Sequence, residues 1–184
     1  MKTCYWKVLG LLLCLLAAIT TRLHAEGMYP GTLSVEGPVK VIEHLNAQVP
    51  LDLFFKDQDG KEVSLRMYCS GQKPVVLTLN YAGCPSLCSL QLNGFAKSLR
   101  DLEWTAGKEF EIVTVDIDPH ETADMAKAMQ ERLVKEYGRP TAKSGWHVLT
   151  GQEKDIKAVA EAVGFGYRYN PVSKSFEHAA VMMF

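Results

Sequence analysis

The sequence predicts an α/β sandwich with a central, largely parallel sheet flanked by helices. Three observations carry that class. Residues 74–81 and 110–117 are continuous apolar runs, the signature of strands buried on both faces. Three stretches with helical spacing alternate with them. A hairpin precedes the alternation and two further strands follow it, so the order is hairpin, three strand–helix units and a closing pair.

Taken in order, the first segment reads as an address. Lys2 and Lys7 precede an apolar run over residues 8–18, and Leu23-His24-Ala25 precedes Glu26. This is the layout of a secretory signal peptide, residues 1–25, cleaved after Ala25. The run falls short of the roughly 20 apolar residues of a spanning helix, so a membrane anchor is the weaker reading. Leu13 before Cys14 lacks the small side chain that a lipoprotein signal wants. No later stretch is long and apolar enough to span a bilayer. Residues 26–48 hold Gly, Pro and scattered polar residues without periodicity, an extended arm, and residues 49–184 are the folded domain.

Within the domain, residues 51–55 and 62–65 flank Asp59-Gly60, a strong hairpin signal. The strand over residues 74–81 leads into a helix whose Cys88, Leu92, Phe95, Leu99 and Leu102 form one stripe. Pro85 suits a first helical turn, which places Cys84 at the N-cap. The strand over residues 110–117 runs into Asp118-Pro119, read as the opening of a second helix. That helix carries Met125, Met129, Leu133 and Tyr137 and stops at Gly138. Residues 146–149 are a short strand. Thr150 and Glu153 read as a capping box for a third helix with Ile156, Val159 and Val163, ended by Gly164. Residues 167–170 and 176–184 read as a hairpin around Pro171.

Composition narrows the function. The chain has 184 residues, 47% of them hydrophobic, and a formal net charge of −1. That length fits one domain and that composition excludes a disordered chain. Beyond residue 25 only 17 Lys and Arg face 21 Asp and Glu, so no basic face exists to neutralise nucleic-acid phosphates. Cys4 and Cys14 leave with the signal, and Cys69, Cys84 and Cys88 remain. An oxidising compartment permits a Cys84–Cys88 disulfide.

Sites in parallel sheets gather at the carboxyl ends of the strands. Cys84, Cys88, Asp116, Asp118 and His120 are therefore expected as neighbours. Cys84 at a helix N-terminus gains from the dipole and the free N–H groups, which favour a thiolate. Two thiols four residues apart can close a disulfide or hold one soft metal ion. Structural zinc wants four ligands, and no second cysteine pair exists. Thioredoxin-type motifs space their cysteines by two residues, not three. Two thiolates with one imidazole suit copper, the sulfurs favouring the cuprous state. The imidazole stays open at this point. His44 lies in the arm, His147 alternates away from the core, His120 follows Pro119 in a loop, and His178 begins the last apolar strand.

The motifs taken together resemble the Sco/SenC family. They are Cys84-Pro85-x-x-Cys88 after a buried strand, residues 115–122 with Asp116, Asp118, Pro119 and Glu121, Trp146-x-x-Leu149-Thr150-Gly151, and Glu177-His178-Ala179. The resemblance covers residues 51–184. It implies a thioredoxin-like fold and a copper site made by Cys84, Cys88 and His178. It also implies a role in building the dinuclear copper centre of cytochrome c oxidase, as metallochaperone or as reductant of that centre's thiols. The implied partners are the copper-bearing oxidase subunit and a thioredoxin-like reductant, in the periplasm or cell envelope. Ser89 stands where the family usually has proline. The thioredoxin-like comparison also implies one more strand and a covering helix beyond Phe184. The alternative from the residues alone is a thiol-disulfide reductase or thiol peroxidase, with Cys84 as nucleophile and Cys88 as resolving thiol.

Overall fold

The computed structural model describes residues 39–184; the expected signal peptide and most of the expected arm lie outside them. Its first regular element is the hairpin β1 (Phe54–Lys56) and β2 (Glu62–Ser64), paired antiparallel with Phe55 opposite Val63. The central sheet has three parallel strands in the order β3 (Val75–Asn80), β4 (Glu111–Asp116) and β5 (Trp146–Leu149). Its helices are α1 (Leu87–Ser98), α2 (Ala123–Tyr137) and α3 (Glu153–Ala162). A separate antiparallel pair, β6 (Tyr167–Asn170) and β7 (Ser175–His178), closes the regular structure. The α/β class and the parallel sheet are those the sequence predicts.

Both faces of the sheet are covered, as continuous apolar strands require. On one face Val76, Ile112, Trp146 and Val148 join Leu92 and Phe95 of α1 and Leu133 and Tyr137 of α2 in a single cluster. On the other, Leu79, Val113, Val115 and Leu149 are equally buried. Burying each such side chain contributes about 1.5–3 kcal/mol. The buried threonines among them are paired: Thr78 donates to Thr114 at 2.9 Å, and the Trp146 indole donates to the same hydroxyl at 3.1 Å.

Local signals set most boundaries, and several differ from the reading above. The second helix begins at Ala123, not at Asp118-Pro119, because the Asp116 and Asp118 carboxylates take the N–H groups of Asp118 and His120 and turn the chain there. Thr122 is its N-cap, accepting from the Met125 N–H, and left-handed Gly138 ends it. The Thr150–Glu153 capping box does not form: Thr150 pairs with Lys56 at the end of the sheet, and Gln152 is the N-cap of α3. Leu102 leaves the helical stripe, because a tighter 3₁₀ turn (Leu99–Asp101) follows α1. The last strand stops at His178. Beyond it the chain crosses to the central sheet, where Met183 and Leu77 exchange both backbone hydrogen bonds at 2.9 Å.

The described end of the arm is tied down. Val41 bridges Phe165, and the Ile42 N–H donates to the Gly164 carbonyl at 2.8 Å. Gly164 is required there: its φ is +66°, and a Cβ would sit 1.7 Å from the Ile42 oxygen.

Candidate metal centre

The site starts where β3 ends. Past Asn80 the chain turns through residues 81–86, with the Cys84 N–H donating to the Tyr81 carbonyl at 3.3 Å. Ser86, not Cys84, is the N-cap of α1, and its side chain makes no capping bond. The expectation for Cys84 was two residues early, yet its physical basis survives in altered form. The Cys84 Sγ accepts the backbone N–H of Cys88, 3.3 Å away, in the first turn of α1. Pro85 lies in the turn before the helix.

Cys88 begins the buried stripe and is 1% exposed. Its Sγ meets the Nε2 of His178 at 2.9 Å. The Nδ1 of His178 lies 2.8 Å from the Ala179 carbonyl, which only accepts, so Nδ1 carries the proton and the Nε2 lone pair faces the thiols. The imidazole is further confined by the rings of Tyr81 and Phe165, with centroids at 5.9 and 6.1 Å. One sulfur from each cysteine and one imidazole nitrogen lie within 4.8 Å of one another. No other such group of three occurs among the described residues.

Electrostatics separates the two thiols. Burial raises the Cys84 thiol, but hydrogen bonds from the Cys88 and Ser86 backbones and from the Cys88 and Tyr81 side chains outweigh it and hold it below its usual value. Burial drives Cys88 the other way, to about 12, and the neighbouring Cys84 adds to the rise. Burial also lowers the His178 pKa, which keeps the ring neutral and able to donate its lone pair. All three cysteines of the described chain are free thiols. Two sulfurs and one neutral imidazole nitrogen form a donor set suited to a soft monovalent ion, whose charge would offset the cost of a buried Cys88 thiolate.

A carboxyl pair supports the loop from below. Glu121 accepts the N–H groups of both Ala82 and Gly83, and Asp116 accepts that of Ala82 at 3.2 Å. Burial and the adjacent Glu121 raise the pKa of the fully buried Asp116 carboxyl well above its usual value. Asp116 and Glu121 therefore hold the backbone ahead of Cys84. Sequence reasoning placed Asp116 at this edge but missed the work of Glu121, whose signal is the acidic residue three past Asp118 on the same loop.

The other predicted neighbours divide. Asp118 and His120 lie in the turn after β4, outside the ligand group. His147 sits near the opposite end of the sheet, against Glu111 at 3.2 Å and the Tyr68 ring. His44 meets the Ala162 carbonyl. Cys69 is half-buried, its thiol raised by burial, and takes no part in the group.

Comparison with known proteins agrees with this geometry. Residues 46–184 match the family model described as SCO1/SenC. No curated protein matches the chain. Among solved structures, an Aquifex aeolicus VF5 protein described as a "putative electron transfer protein" is 28% identical, with a TM-score of 0.62 over 74% of this chain and 75% of that one. The SCO1/SenC family lipoprotein of Bacillus anthracis str. Ames is 19% identical, with a TM-score of 0.59 over 75% of this chain and 77% of its own. Copper-bound ScoI of Arabidopsis thaliana is 23% identical, with a TM-score of 0.57 over 73% of this chain and 79% of that one. The last two share its thioredoxin-like fold.

Proposed function

The chain belongs to the SCO1/SenC family, and from that premise we propose that it binds one cuprous ion through Cys84, Cys88 and His178. It does so as an exported metallochaperone for the copper centre of cytochrome c oxidase. The observation that carries the reading is the convergence of the two sulfurs and His178 Nε2 within 4.8 Å, with Nδ1 already committed to the Ala179 carbonyl. A backbone carbonyl on the second nitrogen is the usual way a ligating imidazole is oriented and its tautomer fixed. The copper-bound Arabidopsis relative supports the choice of metal. The copper-bearing oxidase subunit is the proposed recipient, and a thioredoxin-like reductant is proposed to keep the thiols reduced. Among the described residues no helix is long and apolar enough to cross a membrane.

The test is stoichiometry. Reduced protein is expected to bind one copper per molecule, and protein with a Cys84–Cys88 disulfide little, because the thiolate donors are consumed. Equal binding by both forms refutes the assignment.

A second reading is favoured by one observation, the lowered pKa of the half-buried Cys84 beside Cys88. As a reductase, Cys84 thiolate attacks a partner disulfide and releases one partner thiol. Cys88 then displaces the other, leaving Cys84–Cys88 oxidised and the partner reduced by two electrons, with the thioredoxin-like dithiol as the donor that restores the pair. This reaction needs neither His178 nor copper, so reductase activity that survives His178→Ala, in a protein whose parent form binds no copper, would favour it.

A further inference from the structure

We propose that Gln91 is a positioning residue that fastens the His178-bearing segment to the cysteine helix. It deepens the copper reading and rests on that reading for its affinity arm. Gln91 lies on α1 three residues after Cys88 and uses both ends of its carboxamide. Its Nε2 donates to the Val181 carbonyl at 2.9 Å, three residues past His178. Its Oε1 accepts from the Nδ2 of Asn80 at 3.0 Å. Asn80 is the last residue of β3 and is fully buried. One side chain thus joins the end of β3, the cysteine helix and the terminal segment.

The topology explains why such a tie is needed. His178 ends β7, whose only strand partner among the described residues is β6, so the three-stranded sheet does not fix its position. The chain next meets the central sheet at Met183, paired with Leu77. Val181 lies between these points, and Gln91 holds it against the helix that carries Cys88. Asn80 points the same way. Its Oδ1 is buried without a partner, a cost that an apolar residue would avoid. What the carboxamide contributes in return is the donor that braces Gln91.

Gln91→Met keeps the shape and removes both hydrogen bonds, while Gln91→Glu keeps the acceptor and loses the donor to Val181. Both are read in the reduced, copper-free protein and in cuprous titrations against a chromophoric chelator. In the copper-free protein both variants should speed amide exchange at Met183 about tenfold. In titrations Gln91→Met should weaken copper about tenfold, the lower end for outer-shell partners of metal ligands. In a His178→Ala background it should cost less than twofold, a non-additivity that a general loss of stability would not produce. Unchanged exchange at Met183, or the same copper penalty with and without His178, overturns the proposal. If the parent binds no copper, the copper reading fails by itself and the exchange measurement still decides the role of Gln91.

Discussion

Removing the metal and challenging the two thiols with an alkylating reagent separates them by a margin the structure sets. Cys88 is pushed to about 12 and is 1% exposed, whereas Cys84 is held below its ordinary 9.0 and is half-buried. At neutral pH a thiol below 9.0 has at least about 1,000 times the thiolate fraction of one at about 12. The less basic thiolate is also the weaker nucleophile, and a Brønsted coefficient of about 0.4–0.5 returns roughly 20–30-fold of that advantage. A preference of about 40-fold for Cys84 remains, before the shielding of Cys88 is counted. The assay is limited iodoacetamide labelling of reduced, chelator-treated protein across a pH series, with the modified cysteine mapped by mass spectrometry. Labelling at Cys84 should rise with pH and reach half its maximum below pH 9. Equal labelling of the two, or faster labelling of Cys88, refutes the assignment of the Cys88 N–H to the Cys84 sulfur.

Glu121→Ala removes the acceptor shared by the Ala82 and Gly83 N–H groups, and should cost about 1.5–3 kcal/mol in chemical denaturation, the range for a hydrogen bond to a charged group. Asp116→Asn should also destabilise the fold in the same assay, because one of the two oxygens that accept the Asp118 and Ala82 N–H groups becomes an amide donor. Burial lowers the pKa of His147 and of His178, so the folded state resists protons that the unfolded chain takes up near pH 6.5. Their contribution to stability is complete above that pH and falls as the pH drops through the lowered folded values, which denaturation midpoints at pH 7.5 and 5.5 will show. Leu92→Ala opens a cavity at a fully buried position and should cost about 2–5 kcal/mol in urea denaturation.

The parallel sheet was legible because β3 and β4 are buried on both faces and must read as unbroken apolar runs. Helix ends were harder. Asp118-Pro119 has the composition of a helix start, but Asp118 spends its carboxylate on the His120 N–H, and the cap falls to Thr122. Cys84 was misplaced by the same ambiguity, since Pro85 suits a turn as well as a first helical residue. The cysteine pair stood out because its partners are four residues apart. The residues alone left the imidazole open, and only resemblance picked out His178, whose contact with Cys88 spans 90 positions. Gln91 and Asn80 left no trace in the sequence. Their roles arise from a strand end, a helix face and a terminal segment that only folding brings together.

The central claim is the ligand set, and X-ray absorption at the copper edge of reduced, copper-loaded protein tests it most directly. Two sulfurs and one imidazole nitrogen are expected in the parent, with the nitrogen lost in His178→Ala and retained in His120→Ala and His147→Ala. A nitrogen that persists in His178→Ala but disappears in His120→Ala would contradict the account, as would a parent spectrum without nitrogen.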